Sequence, residues 1–283
     1  MADSEDAFEF LAADLAPGER KALELDCSEL ELRRICSETD SLFDVAYDHL
    51  WNEFGSKNEM ESRPVIAHRL GWHPATQLDG YWLRYEIIMV RHRTRFVAVR
   101  DHTAIVSDRR PSRAIVHLSH VLIEPGWRRT GLAGWLRAWP LQTARACLAA
   151  AGHAVNSPIT LVAEMEPPEA QFPNRLIRLQ AYEKAGFKKI DPEQVRYFQP
   201  DFRPPEQIDG TGGPQPLPFC LVVRRVGRET EGSMSGAEVR ELVDCLYRMY
   251  AVGFRAADMA VVWQSLSEYP ADEAAVALLP PAQ

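Results

Sequence analysis

The sequence predicts a mixed α/β (α+β) fold with a central, mostly antiparallel sheet, flanking helices and a helical C-terminal extension. Three observations predict it. Runs rich in β-branched and aromatic residues follow one another through connections too short for crossover helices. Between other such runs, apolar residues recur at helical spacing. Finally, 46% of the 283 residues are apolar, enough to build a large core.

Taken in order, residues 1–28 read as an N-terminal helical extension with a linker. From Glu29, "ELELRRIC" alternates like a strand. In "SETDSLFDVAYDHLWNEFG", Phe43, Ala46, Tyr47, Leu50, Trp51 and Phe54 fall at helical spacing, with Ser, Thr and Asp available as N-caps and Gly55 as the stop. The next stretch, "RPVIAHRLGWHPATQLDG", shows no clear pattern. Three strands then form a meander: "YWLRYEIIMV", "RFVAVRDHTAIV" and "RAIVHLSHVLIEP". The third leads through "IEPGWRRTGLAGWLRAW" into a helix continuing along "LQTARACLAAAG", in which Pro140 removes one backbone bond. A buried strand, "SPITLVAEMEPP", precedes the amphipathic helix "NRLIRLQAYEKAGF", which ends at Gly186. "QVRYFQPDF" and "PLPFCLVVRRVG" pair around a Pro/Gly-rich loop and close one domain over 29–227. Residues 228–283 form the C-terminal helical extension. Its helix, from about Ala237 to Ser267, carries Leu242, Cys245, Leu246, Met249 and Tyr250 on one stripe, suited to capping a site or to a homodimer contact, and "LLPPAQ" frays.

Composition narrows the function. A net charge of -8 and a pI near 5.6 argue against nucleic acid and suit an amine substrate. The five cysteines, Cys27, Cys36, Cys147, Cys220 and Cys245, have no metal-ligand spacing and read as buried thiols in a reducing compartment. The acidic start lacks the basic flank of a secretory signal, and no apolar run is long enough to span a bilayer, so the expected address is cytoplasmic, with no membrane partner. The basic run Arg91 to Arg95 falls at a hairpin end, where solvated charge is ordinary. Trp135 and Trp139, at helical spacing, read as core.

A strand that enters a helix through a glycine-containing turn leaves backbone N–H groups without intrahelical partners, at the positive end of the helix dipole. That is an anion site. Gly131 and Gly134 admit close approach, and Arg128 and Arg129 add charge. A P-loop would need Lys and a hydroxyl after Gly131, where Leu132 and Ala133 stand. A dinucleotide fingerprint would need a further glycine ahead of Gly131. Instead "RRTGLA", Arg128 to Ala133, resembles the Q/R-x-x-G-x-G/A loop of the GNAT superfamily of acyl-CoA-dependent N-acetyltransferases. "VLIEPGW" resembles the strand that precedes that loop, and "AYEKAGFKKI" the family's tyrosine-helix-Gly-Phe segment.

The resemblance implies the GNAT fold and transfer of an acetyl group from acetyl-CoA to a primary amine of a small molecule or protein, directly in a ternary complex and without a metal. The backbone of Arg128, Arg129, Thr130, Gly131, Leu132, Ala133 and Gly134 would cradle the CoA pyrophosphate. Val121 and Ile123 would bond the pantetheine arm. Tyr182 takes the place of the tyrosine near the CoA sulfur, as general acid. For the base, His117 lies eleven residues before Arg128 on the third strand. The alternatives are Glu164 or Glu166, which also stand as acceptor-binding residues, and bound water. Strand alternation sets His120 on the face opposite His117, under a helix. Arg175 replaces the asparagine usual seven residues before the tyrosine, and "EMEPPEAQFPN" is longer and richer in proline than usual. A non-catalytic acyl-CoA-binding module and an acyltransferase using longer acyl chains are the other readings.

Overall fold

Alternating burial over Leu30–Ile35 makes the first strand, β1, as its pattern predicts. The computed structural model describes residues 11–109, 113–169 and 171–283; the rest of the predicted N-terminal extension, residues 1–10, and Ala170 of the proline-rich stretch lie outside the described residues. The chain divides into two compact units, 1–157 and 158–283. The division falls inside the span 29–227.

In the first unit, helix α1 covers Phe43–Phe54. Its N-cap is Leu42, whose N–H bonds the Asp40 carboxylate at 2.8 Å, so Asp40 acts two residues before the N-cap position. Gly55 does not stop the helix; it stays right-handed, and the chain runs on through a 3-10 turn to Asn58, which is left-handed at φ 57°. Gly55 is required for another reason: the Trp51 ring lies 2.5 Å from where its Cβ would stand. The patternless stretch holds two elements, α2 (Arg63–Leu70) and β2 (Thr76–Leu78).

Next come β3 (Tyr81–His92) and β4 (Arg95–Ser107), a long antiparallel hairpin turning on Arg93 and Thr94, both left-handed. Its basic end is answered by Glu29 and Glu31, which pair with His92, Arg93 and Arg91. The predicted third strand is two: β5 (Ala114–His117) and β6 (Val121–Ile123), both antiparallel to β4. Between them the ladder is broken by Asp101 of β4, which is fully buried. One carboxylate oxygen of Asp101 accepts the His120 backbone N–H at 2.8 Å and its Nδ1–H at 3.0 Å. The other accepts from the Tyr85 hydroxyl at 2.9 Å. His120 Nε2 donates to the Glu59 carbonyl at 2.7 Å, and the ring lies 4.9 Å from that of Phe54 on α1.

Helix α3, Leu132–Ala150, follows and runs through Pro140. Pro140 leaves the Leu136 carbonyl without its helical donor. The buried Arg100 supplies a replacement, Nη1 to Leu136 O at 3.4 Å. Trp135 and Trp139 are core, packed with Leu132, Leu136, Ile88, Val90 and Ala98. Ahead of β1, the predicted N-terminal helix is a set of 3-10 turns, Ala12–Asp14 and Pro17–Glu24, laid along α3.

The second unit has β7 (Ile159–Met165), α4 (Pro173–Lys184), β8 (Lys188–Ile190), β9 (Tyr197–Gln199), a short α5 (Pro205–Gly210) and β10 (Leu217–Arg225). β10 pairs with β7, β8 and β9, all antiparallel. The C-terminal extension is not only helical: β11 (Ser233–Ser235) leads into α6 (Gly236–Ala251) and α7 (Ala256–Ser265), and β12 (Ala275–Leu279) closes it. Leu278 and Leu279 do not fray; they pair with Ile190 and Lys189 of β8. A capping box between Ser235 and Glu238 starts α6, and its stripe Leu242, Cys245, Leu246, Met249 and Tyr250 is buried by the chain itself. The fold is thus the mixed α/β, largely antiparallel class expected. Cys147, Cys220 and Cys245 are buried as expected, whereas Cys27 and Cys36 are half-buried. Among the described residues no helix is long and apolar enough to cross a membrane.

The Asp101–His120 pair carries a pH signature. Burial disfavours both charged forms, but each charge outweighs it for the other, lowering Asp101 to about 2 and raising His120 to about 9. The His120 contribution to stability is complete below its ordinary 6.5 and is lost as pH rises toward 9; that of Asp101 is complete above its ordinary 3.8 and is lost as pH falls toward 2. Urea unfolding from pH 4 to pH 9 is expected to show this decline on the alkaline side. Asp101→Asn is expected to lower stability by about 3–5 kcal/mol, by leaving a buried charge unpaired, and to flatten that decline.

Candidate active site

β6 is a strand with one partner. It bonds β4 along one edge, with Val121, Leu122 and Ile123 opposite Arg100, Val99 and Ala98, and pairs with no other described strand. Antiparallel bonding alternates, so the residues whose backbone groups face β4 are every second one. His120 and Glu124 are two of these, shown by Asp101 N–H to His120 O at 3.3 Å and Glu124 N–H to Val97 O at 2.9 Å. Val121 and Ile123 therefore present N–H and C=O to the open edge. Arg128 Nε donates to the Ile123 carbonyl at 3.1 Å, at the end of that edge.

The edge runs into a 3-10 turn, Pro125–Trp127, and then the loop 128–134. Thr130 Oγ1 donates to Trp127 O at 2.8 Å and accepts from Leu132 N–H at 3.4 Å. The first helical bonds are those of Gly134 and Trp135 N–H to Gly131 O, at 3.0 and 3.2 Å. The N–H groups before them belong to the helix start, where no intrahelical acceptor exists. Arg129 and Gly131 are left-handed, at φ 65° and 106°, and Arg128 and Arg129 are exposed. A turn of this kind ahead of a 19-residue helix is the local geometry that an anion site at a helix start requires.

The glycines have a second use. Lys21 O lies 2.4 Å from where a Cβ on Gly131 would stand, and the Glu19 side chain 3.1 Å from one on Gly134. The residues expected to clear space for a phosphate also clear it for the chain's own N-terminal turns.

His117 ends β5 opposite Thr103, is 1% exposed, and has Nδ1 3.1 Å from Ser119 Oγ. The strand is interrupted between the two histidines, so the alternation that set them on opposite faces no longer applies; both are buried. His120 has both ring nitrogens engaged.

The remaining predicted residues lie in the second unit. Tyr182, on α4, is 7% exposed with its ring edge-on to Phe187 at 4.8 Å. Glu164, on β7, accepts from the hydroxyls of Tyr197 and, at 2.7 Å, Tyr250. Burial, and then the Glu164 charge, raise the Tyr197 phenol well above its ordinary value. Glu166 pairs with Arg175 at 2.9 Å and with Arg178, and Arg175 also pairs with Glu169. Asp101 and Tyr197 were not singled out from sequence, and Tyr250 only as part of the apolar stripe of the C-terminal helix. For Asp101 a signal existed, an acid inside an apolar strand.

One further group gathers metal-ligating atoms: Cys36, His73 and Glu86 lie within 4.8 Å of one another. Their surroundings do not suit a cation. Arg84 bonds Glu86 at 2.7 Å and lies 3.3 Å from His73 Nε2, and Arg34 stands 3.5 Å from Glu86, so two guanidiniums already occupy the place of a metal charge.

No family model and no curated protein matches the sequence. Solved structures of related shape do. An acyl-CoA N-acyltransferase from Pseudomonas aeruginosa is 16% identical, covering 69% of this chain and 99% of its own, with a TM-score of 0.36. A Desulfovibrio desulfuricans protein assigned to the GNAT family of acetyltransferases is 13% identical over 70% and 99%, at 0.39. Diaminobutyrate acetyltransferase from Paenibacillus lautus is 16% identical over 70% and 95%, at 0.33. The similar structures are thus acyltransferases, GNAT members among them.

Gly131→Ala puts a Cβ against Lys21 O in a left-handed backbone. The expected outcome is a loss of about 1–3 kcal/mol or more in urea unfolding, whatever the ligand.

Proposed function

We propose that the protein is an acyl-CoA-dependent N-acyltransferase that transfers an acetyl group from acetyl-CoA to a primary amine. The observation that carries this reading is the open edge of β6 leading straight into the N–H-lined turn before α3. An extended, amide-bearing arm ending in a pyrophosphate matches both features in sequence: its amides add to the edge as a further strand, through Val121 and Ile123, and its phosphates settle on the backbone of 128–134. Coenzyme A has that constitution. Arg128, already tied to Ile123 O, links the two parts of the cradle.

In the reaction, the free amine attacks the thioester carbonyl, the carbon–sulfur bond breaks, and the thiolate takes a proton. His117 receives the proton released by the ammonium form of the acceptor, directly or through water, and Tyr182 gives one to the departing sulfur; both roles follow from the family resemblance. Glu164 and Glu166 attract the cationic acceptor. Acetyl as the acyl group, a small molecule or exposed protein amine as acceptor, and a cytoplasmic address belong to the same reading.

A second reading, a module that binds acyl-CoA without transferring, is favoured by one observation. The carboxylates of Glu164 and Glu166 are already engaged, by tyrosines and by arginines.

Calorimetric titration with coenzyme A is expected to show one-to-one binding, weakened about tenfold or more in Arg128→Ala. A thiol-release assay over a panel of primary amines is expected to find an acceptor, with turnover reduced by His117→Ala and Tyr182→Phe. Binding with no release for any amine, and variants that bind as the wild type does, would move the assignment to the binding module.

A further inference from the structure

The loop proposed to hold the pyrophosphate is shaped from outside itself. Its concavity needs Arg129 and Gly131 left-handed, and a left-handed arginine persists only where its surroundings fix it. What surrounds the loop is the segment 11–25. The Lys21 carbonyl and the Ala22 Cα pack on Gly131, and the Glu19 side chain packs on Gly134. Glu19 is 8% exposed and ion-paired with Arg137 of α3; Asp14 is 1% exposed and ion-paired with Arg145, two turns further along. Leu15 and Ala22 join Leu132, Trp135 and Leu136 in one core cluster. The segment is therefore fastened along α3 by two ion pairs beyond the point where it presses on the loop.

We propose that residues 11–25 are the fixed outer wall of the cofactor loop, with Glu19 a positioning residue acting through Arg137 and Gly134, so that coenzyme binding and docking of the segment reinforce one another. The inference rests on the coenzyme A reading given above. Reinforcement is reciprocal: whatever the docked segment adds to affinity, bound coenzyme adds to docking.

Glu19→Gln separates positioning from simple electrostatics, because the two predict opposite signs. Removing a negative charge beside an anion cradle, and freeing Arg137 from its partner, favours an anion on charge grounds alone. A positioning role predicts weaker binding instead. In the full-length protein, calorimetry with coenzyme A is expected to show at least fivefold weaker binding for Glu19→Gln, and a smaller loss for Asp14→Asn, whose charge is far from the loop. In turnover, the KM for the acyl donor is expected to rise while the KM for the amine does not. In the wild type, coenzyme A is expected to slow hydrogen exchange at the amides of residues 16–24, a measurement that does not depend on the variants folding. Coenzyme binding to Glu19→Gln that is unchanged or tighter, or exchange at 16–24 that coenzyme leaves unaltered, would overturn the inference while the cofactor reading stands. A wild-type protein that does not bind coenzyme A overturns both.

Discussion

The Asp101 carboxylate, buried in the middle of β4, is the interaction on which the first unit depends. By taking both the backbone N–H and the imidazole of His120, it replaces one ladder bond with side-chain bonds, while its own N–H still bonds the His120 carbonyl. The neighbouring strand must leave the ladder there and rejoin it as a separate piece, β6. A continuous strand would carry β5 pairing down its whole length; a broken one releases a short edge from further partners. A buried ion pair is weak evidence for stability, since hydrophobic replacement often does as well. Its use here is geometric: no apolar pair could hold a backbone N–H away from the ladder and satisfy it at the same time.

Arg100, the preceding residue, does complementary work on the other face. Successive side chains of a strand point to opposite sides, so the Arg100–Asp101 pair serves both layers at one level of the sheet. Arg100 reaches α3 and supplies a donor to Leu136 O, the carbonyl that Pro140 leaves unbonded, while Asp101 meets Tyr85, Glu59 and α1 through His120. His102, next on the Arg100 side, meets Thr143 of α3 at 2.7 Å and is held to about 4, chiefly by burial. Arg100 and His102 thus engage helix α3 on one face of the strand, and Asp101 the strand break on the other. Those two features lie at the two ends of the stretch proposed to hold coenzyme A: where the β6 edge begins, and how helix α3 is seated.

This explains what was legible in the sequence and what was not. Long periodic elements, such as "YWLRYEIIMV" and the helix at 132–150, are set by local pattern and burial, and they were read correctly. The strand-to-helix turn at 128–134 was legible because a glycine ahead of an apolar helical pattern marks a turn into a helix, and Gly131 is left-handed at that point. The strand break was not, because it is written on the partner strand: nothing in "HLSHVLI" announces an interruption whose cause is an acid sixteen or more positions earlier. The end of the chain was missed for a similar reason. "AVALL" has no reason to be ordered until β8 offers it an edge. Gly55 shows the converse error, a right residue given the wrong reason, since its lack of a side chain makes room for Trp51 rather than for a left-handed turn.

The charge of the chain bears on how the proposed anionic cofactor would be held. A net charge of -8 opposes the approach of a polyphosphate at long range. At physiological salt that repulsion is screened beyond about 8 Å, so the decision passes to the groups within that distance. At the loop these are the exposed Arg128 and Arg129, the positive end of α3 and the N–H groups of the turn. Exposed arginines contribute most where they are held in place, as Arg128 is by its bond to the Ile123 carbonyl, because water and salt compete for a free one. The N–H groups contribute through direction, and direction depends on the left-handed residues at 129 and 131 being held in place. On an acidic protein, affinity for such a ligand is therefore a matter of backbone geometry more than of net charge, and whatever fixes that geometry belongs to the site as much as the residues that touch the ligand.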